Sequence, residues 1–277
     1  MHVAMIITTP DYAGLNIKNN LLENYPFEEV DQEWEGHKVY QHKEIDGIKI
    51  YTIDKKCVHC ENIDKEINGD IFLFPTTHRS AAGTNSLSCH TQGNWGNADL
   101  GGIPKNLSIA PALYLKKMLI ELNNYADIDE EIAMECTHHG PELEKPTIFC
   151  EIGSDEAQWK RPELGKILAD VIMKSILEEP ASLKTAVGIG GPHYCNNFQK
   201  IQLNSDIAIG HICPKYNLEN LDEEMIRQAI EKTQPKAELV LLDWKGLGKE
   251  KQRIIGIVEK LSSELGVEVK RTNQVEK

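Results

Sequence analysis

A chain of 277 residues can bury a full hydrophobic core, either as one α/β unit or as two closely associated lobes. Its formal net charge of −13 excludes a broad basic surface of the kind that holds duplex DNA or an anionic membrane, and leaves room only for local basic patches. Its seven cysteines form an odd set without the spacing of a disulfide scaffold, so we expect reduced thiols and a cytoplasmic protein.

The apolar residues predict strands that alternate with helices along most of the chain. Residues 1–7 form a short apolar run without a basic flank, which indicates a first strand rather than a signal peptide or a membrane span. Other short runs extend the set of predicted strands to residues 3–8, 48–53, 71–74, 131–134, 147–151, 186–189, 207–209 and 239–242. Helical spacing predicts helices at residues 12–23, 112–123, 164–176, 223–232 and 251–265. This alternation is typical of a three-layer α/β/α fold with a mostly parallel, mixed sheet.

Residues 79–110 interrupt the alternation. Glycines at positions 83, 93, 96, 101 and 102 lie there among polar residues, which predicts a long functional loop or a crossing between subdomains. We therefore expect a single α/β unit over residues 1–277, or two associated lobes whose boundary falls between about residues 79 and 125.

Titratable side chains follow most of the predicted strands. In open α/β sheets, ligands bind outside the carboxyl ends of strands. The candidate groups are His78, His90, His138, His139, His193 and His211 with Glu135 and Glu151. Imidazole and carboxylate are the usual ligands of catalytic zinc, so we expect metal ligands among His78, His90, His138, His139, Glu151, His193 and His211, and one or two Zn²⁺ ions per chain.

Residues 135–141, ECTHHGP, carry the densest chemistry. They follow a predicted buried strand, and Pro141 must end it because proline lacks a backbone donor. In an extended chain the side chains alternate, so Glu135 and His139 would share one face and His138 would take the other. Both histidines then bind one ion only if the chain bends at the following glycine; otherwise one is a ligand and its neighbour a proton carrier.

Residues 188–193, GIGGPH, partly match a dinucleotide-binding motif. We reject that interpretation because His193 stands at the third glycine position, and because residues 194–197 lack the pattern of a helix that would hold a pyrophosphate. The backbone amides of Gly190 and Gly191 are candidates for an oxyanion site, although these glycines can equally serve to relieve crowding at a turn.

Positively charged residues form local clusters, which are Lys160 with Arg161, Arg79 beside His78, and Lys245 with Lys249, Lys251 and Arg253. Such clusters are most often solvated faces of the protein. Each is also a candidate for a local nucleic-acid contact.

Six motifs occur in one order along almost the whole chain: Asp11 with Asn16-Ile17, His90-Thr91-Gln92-Gly93-Asn94, residues 135–141, Glu151-Ile152-Gly153-Ser154, residues 187–194, and Gly210-His211. Together they resemble the archaeal and plant type of D-aminoacyl-tRNA deacylase. The resemblance implies a zinc-dependent hydrolase, with a fold similar to phosphorylases and peptidyl-tRNA hydrolases, that cleaves the ester joining a D-amino acid to the 3′ end of tRNA. One departure is that Thr77 precedes His78 and Arg79 follows it, where many relatives have a basic residue before the histidine.

With this resemblance, we expect Glu135, His138 and His139 to be catalytic. We expect the substrate to be contacted by Asn94, Gly190, Gly191, Tyr194 and Lys215. Zinc would acidify a water molecule, Glu135 or Glu151 would accept its proton, and an imidazole would protonate the leaving ribose oxygen. The expected partner is the acceptor end of tRNA charged with a D-amino acid, held by a monomer through a local patch.

Two alternatives remain open from the sequence. The first is a zinc-dependent peptidase or amidohydrolase that acts on small acylated substrates. The second is a protein that binds nucleotides or RNA through the same pocket without catalysis. Turnover of charged tRNA separates the predicted deacylase from both.

Overall fold

The structure is a computed structural model that describes residues 1–79 and 83–275 of the chain. Its helices are α1 (Tyr12–Asn24), α2 (Ala112–Asn123), α3 (Glu156–Trp159), α4 (Pro162–Ile176), α5 (Asn196–Asn204), α6 (Glu223–Lys232) and α7 (Lys251–Leu265). Its strands are β1 (Val3–Thr8), β2 (Phe27–Trp34), β3 (His37–His42), β4 (Ile48–Ile53), β5 (Ile71–Thr77), β6 (Ser86–His90), β7 (Gly93–Asn94), β8 (Asn106–Leu107), β9 (Ala110–Pro111), β10 (Glu131–Met134), β11 (Thr147–Gly153), β12 (Lys184–Ile189), β13 (Ile207–Cys213), β14 (Thr233–Gln234), β15 (Leu239–Leu242) and β16 (Glu268–Arg271). Among the described residues, no helix combines the length and the apolar character that a membrane crossing requires.

Two main sheets organise the fold. The larger one has the strand order β10-β6-β11-β5-β1-β4-β3-β2. Strands β11, β5, β1 and β4 are parallel, whereas β6 is antiparallel to β11 and β3 is antiparallel to both of its neighbours. The smaller sheet, β13-β12-β15-β16, is entirely parallel. The predicted α/β class with a mostly parallel, mixed sheet is confirmed.

Alternate strand residues face separate apolar layers. Met5 and Ile7 of β1 pack in the same cluster as α1, α2 and α4, whereas Ala4 and Ile6 pack on the opposite face with short turns and loops. Residues of β13 and β15 also belong to the first layer, so helices lie between the two sheets. Helices α6 and α7 cover the remaining face of the smaller sheet. The smaller sheet is therefore helix-covered on both faces, and the larger one is helix-covered on one.

Several elements lie where the sequence did not predict them. Strands β2 and β3 were missed because their residues are largely exposed or half-buried, so they lack an apolar run. Strand β6 lies within residues 79–110, which were expected to form a loop or a crossing; positions 80–82 of that segment lie outside the described residues. Its residues Ser86 and Ser88 are polar although fully buried, which hides the strand from hydrophobic periodicity.

Helix α5 corrects the expectation that no helix follows residues 188–193. It begins directly after Cys195, and its buried residues are Phe198, Ile201 and Gln202. This apolar stripe is too narrow for the periodicity to indicate a helix. The argument against a dinucleotide site now depends on His193, which occupies the place of the third glycine.

Helix α1 is tied to the start of α4 by Asn16. The side-chain amide of Asn16 donates hydrogen bonds to the carbonyls of Trp159 and Arg161, at 3.0 and 2.7 Å. Gly165 of α4 lies against this amide, because a Cβ atom built there would be 2.2 Å from Asn16 Oδ1. Gly256 of α7 has open space around the same position. Of these two glycines, only Gly165 needs the absence of a side chain for close packing.

We expect alanine at these two glycines to shift stability in opposite directions. Gly256→Ala should raise the free energy of unfolding by about 0.5–1 kcal/mol, since alanine loses less backbone entropy in a helix. Gly165→Ala should lower it by roughly 1–3 kcal/mol, because the added methyl group displaces Asn16. Urea unfolding of both variants measures the difference. Stabilisation by both substitutions would contradict the close contact between α1 and α4.

Candidate active site

A cleft with a volume of about 510 Å³ lies on one face of the larger sheet. Glu151, within β11, forms part of its wall together with His78, which follows β5. Strand β6 runs antiparallel to β11, so its final residue, His90, reaches this region from the opposite direction. Because the sheet is mixed, histidines gather on its face as well as at the edge where the parallel strands have their carboxyl ends.

The segment that follows β10 contacts the smaller sheet just before the histidine pair. The backbone amide of Cys136 donates to the carbonyl of His193 at 2.9 Å, and the amide of Thr137 donates to the carbonyl of Ile212 at 3.0 Å. These hydrogen bonds join the segment after β10 to the segments of β12 and β13. They thereby place His193 against Glu135.

Two carboxylates, Glu135 and Glu151, form the buried centre of the site, with 1% and 3% exposure. Nδ1 of His78 lies between them, 3.1 Å from Oε2 of Glu151 and 3.3 Å from Oε1 of Glu135. Nε2 of His193 lies 2.8 Å from Oε2 of Glu135, and Nε2 of His90 lies 3.6 Å from Oε1 of Glu151. Each carboxylate therefore has at least two imidazole neighbours.

These neighbours set the charge of both carboxyl groups. Burial by itself raises the pKa of Glu135, but the hydrogen bond from His193 and the charges of His90 and His78 leave that pKa below its ordinary value. Burial is likewise outweighed at Glu151, whose pKa the imidazoles of His78 and His90 hold well below the ordinary value. Burial lowers the pKa of His193, whereas hydrogen bonds to a neighbouring thiol and to Glu135 raise it to about 10. Both carboxylates are therefore ionised at neutral pH.

His90, His138 and His139 form a compact group, named here the histidine trio, whose ring centroids are 4.2 to 4.9 Å apart. In each ring, Nδ1 lies 2.6 to 3.1 Å from a backbone carbonyl oxygen. A neutral ring that donates from Nδ1 keeps its lone pair on Nε2. In their neutral form, the three rings therefore keep the Nε2 lone pair available for a ligand.

Two buried atoms at this centre have no hydrogen-bond partner among the described residues: Nε2 of His90 and Oε1 of Glu135. Buried polar atoms are rarely left without a partner in folded proteins. One candidate ligand atom from each member of the histidine trio lies within 4.8 Å of the others. Three imidazoles beside carboxylates are a donor set that zinc prefers. The residues therefore fit a bound metal ion.

Within the described ranges, three further ligand sets overlap with the trio or with one another. They are Cys136 with His138 and His193, His78 with Glu135 and His193, and His90 with Glu135 and Glu151. Because His90 and His138 recur in these sets, the groups form one continuous centre rather than separate sites.

The bend that joins His138 and His139 lies one residue earlier than expected. His139 has φ of 44°, in the left-handed region, so the chain turns at the histidine itself rather than at Gly140. The chain also bends at Thr137, and His138 Nε2 lies 3.7 Å from Glu135 Oε2, although simple alternation predicted opposite faces. Gly140 serves close packing instead, since a Cβ atom there would be 2.3 Å from the amide nitrogen of Gly102.

Tyr194 joins the site through His78. Its hydroxyl lies 3.0 Å from Nε2 of His78, whose Nδ1 contacts Glu151. If Nδ1 donates to the carboxylate, Nε2 accepts from the tyrosine hydroxyl. This chain of hydrogen bonds holds the His78 ring in one orientation.

His211 lies apart from the cluster, within β13 rather than after the strand predicted at residues 207–209. Its Nε2 is 2.9 Å from the carbonyl oxygen of Ser108, and its Nδ1 is 3.2 Å from the hydroxyl of Thr137. Burial lowers its pKa to about 3, so the ring is neutral. Both nitrogens are engaged inside the protein, and we leave His211 out of the proposed ligand set.

Other residues that were predicted to contact the substrate form hydrogen bonds to backbone carbonyls. The side chain of Asn94 donates to the carbonyl of Gly101 at 2.9 Å and thereby holds the glycine-rich loop. The amide of Gly190 donates to the carbonyl of Cys213 at 2.8 Å, so it is not available for an oxyanion. Lys215 is exposed, and its amide donates to the carbonyl of Gly191 at 2.8 Å.

Sequence reasoning missed Tyr216 and gave no role to Asp11 of the first motif. Tyr216 places its hydroxyl 3.1 Å from Nδ1 of His193 and 3.2 Å from Sγ of Cys136. The only sequence signal for this tyrosine is its position soon after strand β13. Asp11 lines the cleft as the N-cap of α1, but it accepts hydrogen bonds from Gly14 and from Thr77, so its role is to shape the wall.

Comparison with known proteins agrees with these features. Residues 65–268 match the family model of D-aminoacyl-tRNA deacylase. The chain is 35% identical to the D-aminoacyl-tRNA deacylase of Pyrococcus furiosus, over 95% of this chain and 98% of the relative, and 36% identical to that of Thermococcus onnurineus, over 95% and 97%. A crystal structure of a conserved protein of unknown function is similar with a TM-score of 0.90 and 32% identity, over 99% of this chain and 96% of that one. The chain belongs to the D-aminoacyl-tRNA deacylase family.

Proposed function

We propose that this chain hydrolyses the ester bond of D-aminoacyl-tRNA at the cleft, releasing the free D-amino acid and tRNA. The observation that carries this proposal is the histidine trio, whose Nδ1 atoms face backbone carbonyls and whose Nε2 atoms are left for one ligand. Two ionised carboxylates lie beside it, as hydrolysis by an activated water molecule requires. The family to which the chain belongs supplies the substrate class.

We propose His90, His138 and His139 as the residues that hold Zn²⁺. Three histidines leave one coordination position open, which is the arrangement of a catalytic rather than a structural zinc site. When bound, the ion supplies a Lewis acid for the ester carbonyl and lowers the pKa of a water molecule toward about 7. His78, Glu135 and His193 already contact one another at 2.8 and 3.3 Å, so we propose one ion per chain.

Glu135 is the proposed general base. Its Oε1 has no hydrogen-bond donor among the described residues and can accept a proton from the attacking water. Its Oε2 receives the hydrogen bond of His193, which keeps the carboxylate oriented. Glu151 holds His78 instead, and through His78 it positions Tyr194 at the wall of the cleft.

His193 is the proposed general acid. Its side chain is 33% exposed and lines the cleft, whereas Glu135 beside it is buried. His193 gives the proton of its Nε2 to the leaving ribose oxygen, and the same nitrogen then accepts, along the 2.8 Å hydrogen bond, the proton that Glu135 took from the water. The pair thus moves one proton from the water to the leaving group.

We also propose that the enzyme is a cytoplasmic monomer built as a single α/β unit over residues 1–277. Every group of the histidine–carboxylate centre comes from one chain, so no second copy is needed to complete it. All seven cysteines are free thiols, as in proteins of a reducing compartment.

The direct test is release of amino acid from D-tyrosyl-tRNA and L-tyrosyl-tRNA, with and without a chelator. We expect release from the D ester, loss of that release on chelation, and recovery with zinc. If release continues in the presence of the chelator, zinc has no part in the mechanism, but the deacylase function stands. Cleavage of small D-aminoacyl esters but not of charged tRNA would favour the small-substrate hydrolase.

Removing one member of the histidine trio should remove both metal and activity. We expect His139→Ala to lower kcat at least about 100-fold and to lower the zinc content of the purified protein, since the open site then has too few ligands. His37→Ala is the matched control, because His37 also contacts a carboxylate, Asp54 at 3.0 Å, but lies on a strand near the edge of the sheet. Full activity and full zinc content in His139→Ala would contradict the ligand assignment.

Replacing the proposed base by its amide should affect the chemical step and leave binding intact. We expect Glu135→Gln to lower kcat by about 10²–10⁴ with KM nearly unchanged. Glu130→Gln is the control, because Glu130 is also a buried carboxylate but pairs with Arg161. A normal kcat in Glu135→Gln together with this loss in Glu151→Gln would transfer the role of base to Glu151.

A further inference from the structure

We propose that the phosphate backbone of the tRNA acceptor end lies on a cationic surface around Trp244, a proposal that rests on the proposed deacylation of tRNA. The Trp244 surface comprises Lys200, Lys245, Lys251 and Arg271 around the tryptophan. Within the described part of the chain, none of these cations forms an ion pair. A chain with a net charge of −13 must bind a polyanion through such a local group of free cations.

Lys160, Arg161 and Arg253 are neutralised by neighbours, whereas Arg79 lines the cleft itself and stacks on Trp159. Lys160 pairs with Glu156, and Arg161 pairs with Glu130 and Glu163. Arg253 pairs with Glu250 and also donates to backbone carbonyls, which leaves it out of the Trp244 surface although it is close in sequence. The structure therefore separates the free cations from those that stabilise the fold.

Trp244 organises two of the free cations. The guanidinium carbon of Arg271 lies 3.6 Å from the ring centroid, and the ammonium of Lys251 lies 4.6 Å from it. Cation–π contacts hold such side chains in place and leave their outer hydrogen-bond donors available. Ordered cations lose less conformational entropy when they bind phosphate.

Beside Trp244 lies a pocket of about 360 Å³ whose lining includes several hydrogen-bond donors. Lys200, Lys245 and Asn273 contribute ammonium and amide groups to it. The carboxylate among the described lining residues, Asp243, accepts hydrogen bonds from the side chain of Asn197 at 3.1 Å and from the amide of Gly246 at 3.3 Å. Ammonium and amide donors around a pocket of this kind suit a phosphate group.

The pocket is close to the reacting centre along the chain. Tyr194, whose hydroxyl contacts His78, is followed after three positions by Asn197 of the pocket wall. Three residues span at most about 11 Å. Phosphates a few nucleotides from the ester can therefore reach Lys200 and Lys245 while the aminoacyl group occupies the cleft.

The test is the double variant Lys200→Glu/Lys245→Glu, assayed on D-tyrosyl-tRNA over a range of salt concentrations. We expect KM to rise about tenfold or more with kcat within twofold of the unmodified enzyme. The slope of log(kcat/KM) against log[salt] should become shallower by about 1.4, because two contacts to a single strand are lost. The milder Lys200→Gln/Lys245→Gln should raise KM less and leave kcat unchanged.

The control is a double variant with the same change of charge at two lysines outside this surface. Lys145 and Lys236 are exposed lysines that precede β11 and β15 and therefore lie near the amino ends of these strands. Lys245 of the Trp244 surface, in contrast, follows the carboxyl end of β15. Lys145→Glu/Lys236→Glu should leave KM and the salt slope unchanged. Equal KM values in this control and in both Lys200/Lys245 variants would overturn the surface while the deacylase function stands. Absence of hydrolysis by the unmodified enzyme would instead overturn the proposed function.

Discussion

The site is governed by two carboxylates that share one buried centre. Removing an ionised carboxylate from water costs several kcal/mol, and like charges in close proximity add to that cost. Glu135 and Glu151 are ionised nonetheless, because His78 lies between them and His193 and His90 approach from either side. The imidazoles around the centre therefore stabilise the fold as well as serving chemistry. A bound cation would add to the same balance of charge.

Two sheets must meet correctly for this balance to exist. The larger sheet supplies Glu151 and the ends of β5, β6 and β10, whereas the smaller sheet supplies His193 through the segment after β12. Backbone hydrogen bonds of Cys136 and Thr137 to this second group fix the two parts together. Because the Trp244 surface also belongs to the smaller sheet and its helices, the same junction relates the proposed tRNA contacts to the reacting centre.

Hydrophobic periodicity was sufficient to predict a helix where one face of that helix is strongly apolar. Helices α2, α6 and α7 have the predicted bounds because each presents a continuous buried stripe. Strand β6 escaped prediction because Ser86, Ser88 and His90 are polar yet completely buried against the site. Hydrophobic patterns fail to predict an element when its buried residues are polar, as they are at a functional centre.

The sequence indicated which residue types gather at the site but not their individual roles. His193 and His211 both follow predicted strands, and only the fold separates the one that faces the cleft from the one enclosed by Ser108 and Thr137. The chain bends at Thr137 and turns at His139, so the alternation of an extended strand misplaced His138. The free or paired state of a basic residue is likewise set by neighbours distant in sequence, such as Glu130 beside Arg161.

The central claim is that the Nε2 atoms of His90, His138 and His139 bind one zinc ion. X-ray absorption at the zinc edge of the metal-loaded protein tests it most directly. The account predicts three imidazole nitrogens at about 2.0–2.1 Å, an additional oxygen ligand and no sulfur. A sulfur ligand at about 2.3 Å would place the ion with Cys136, His138 and His193 instead, and would contradict the assignment.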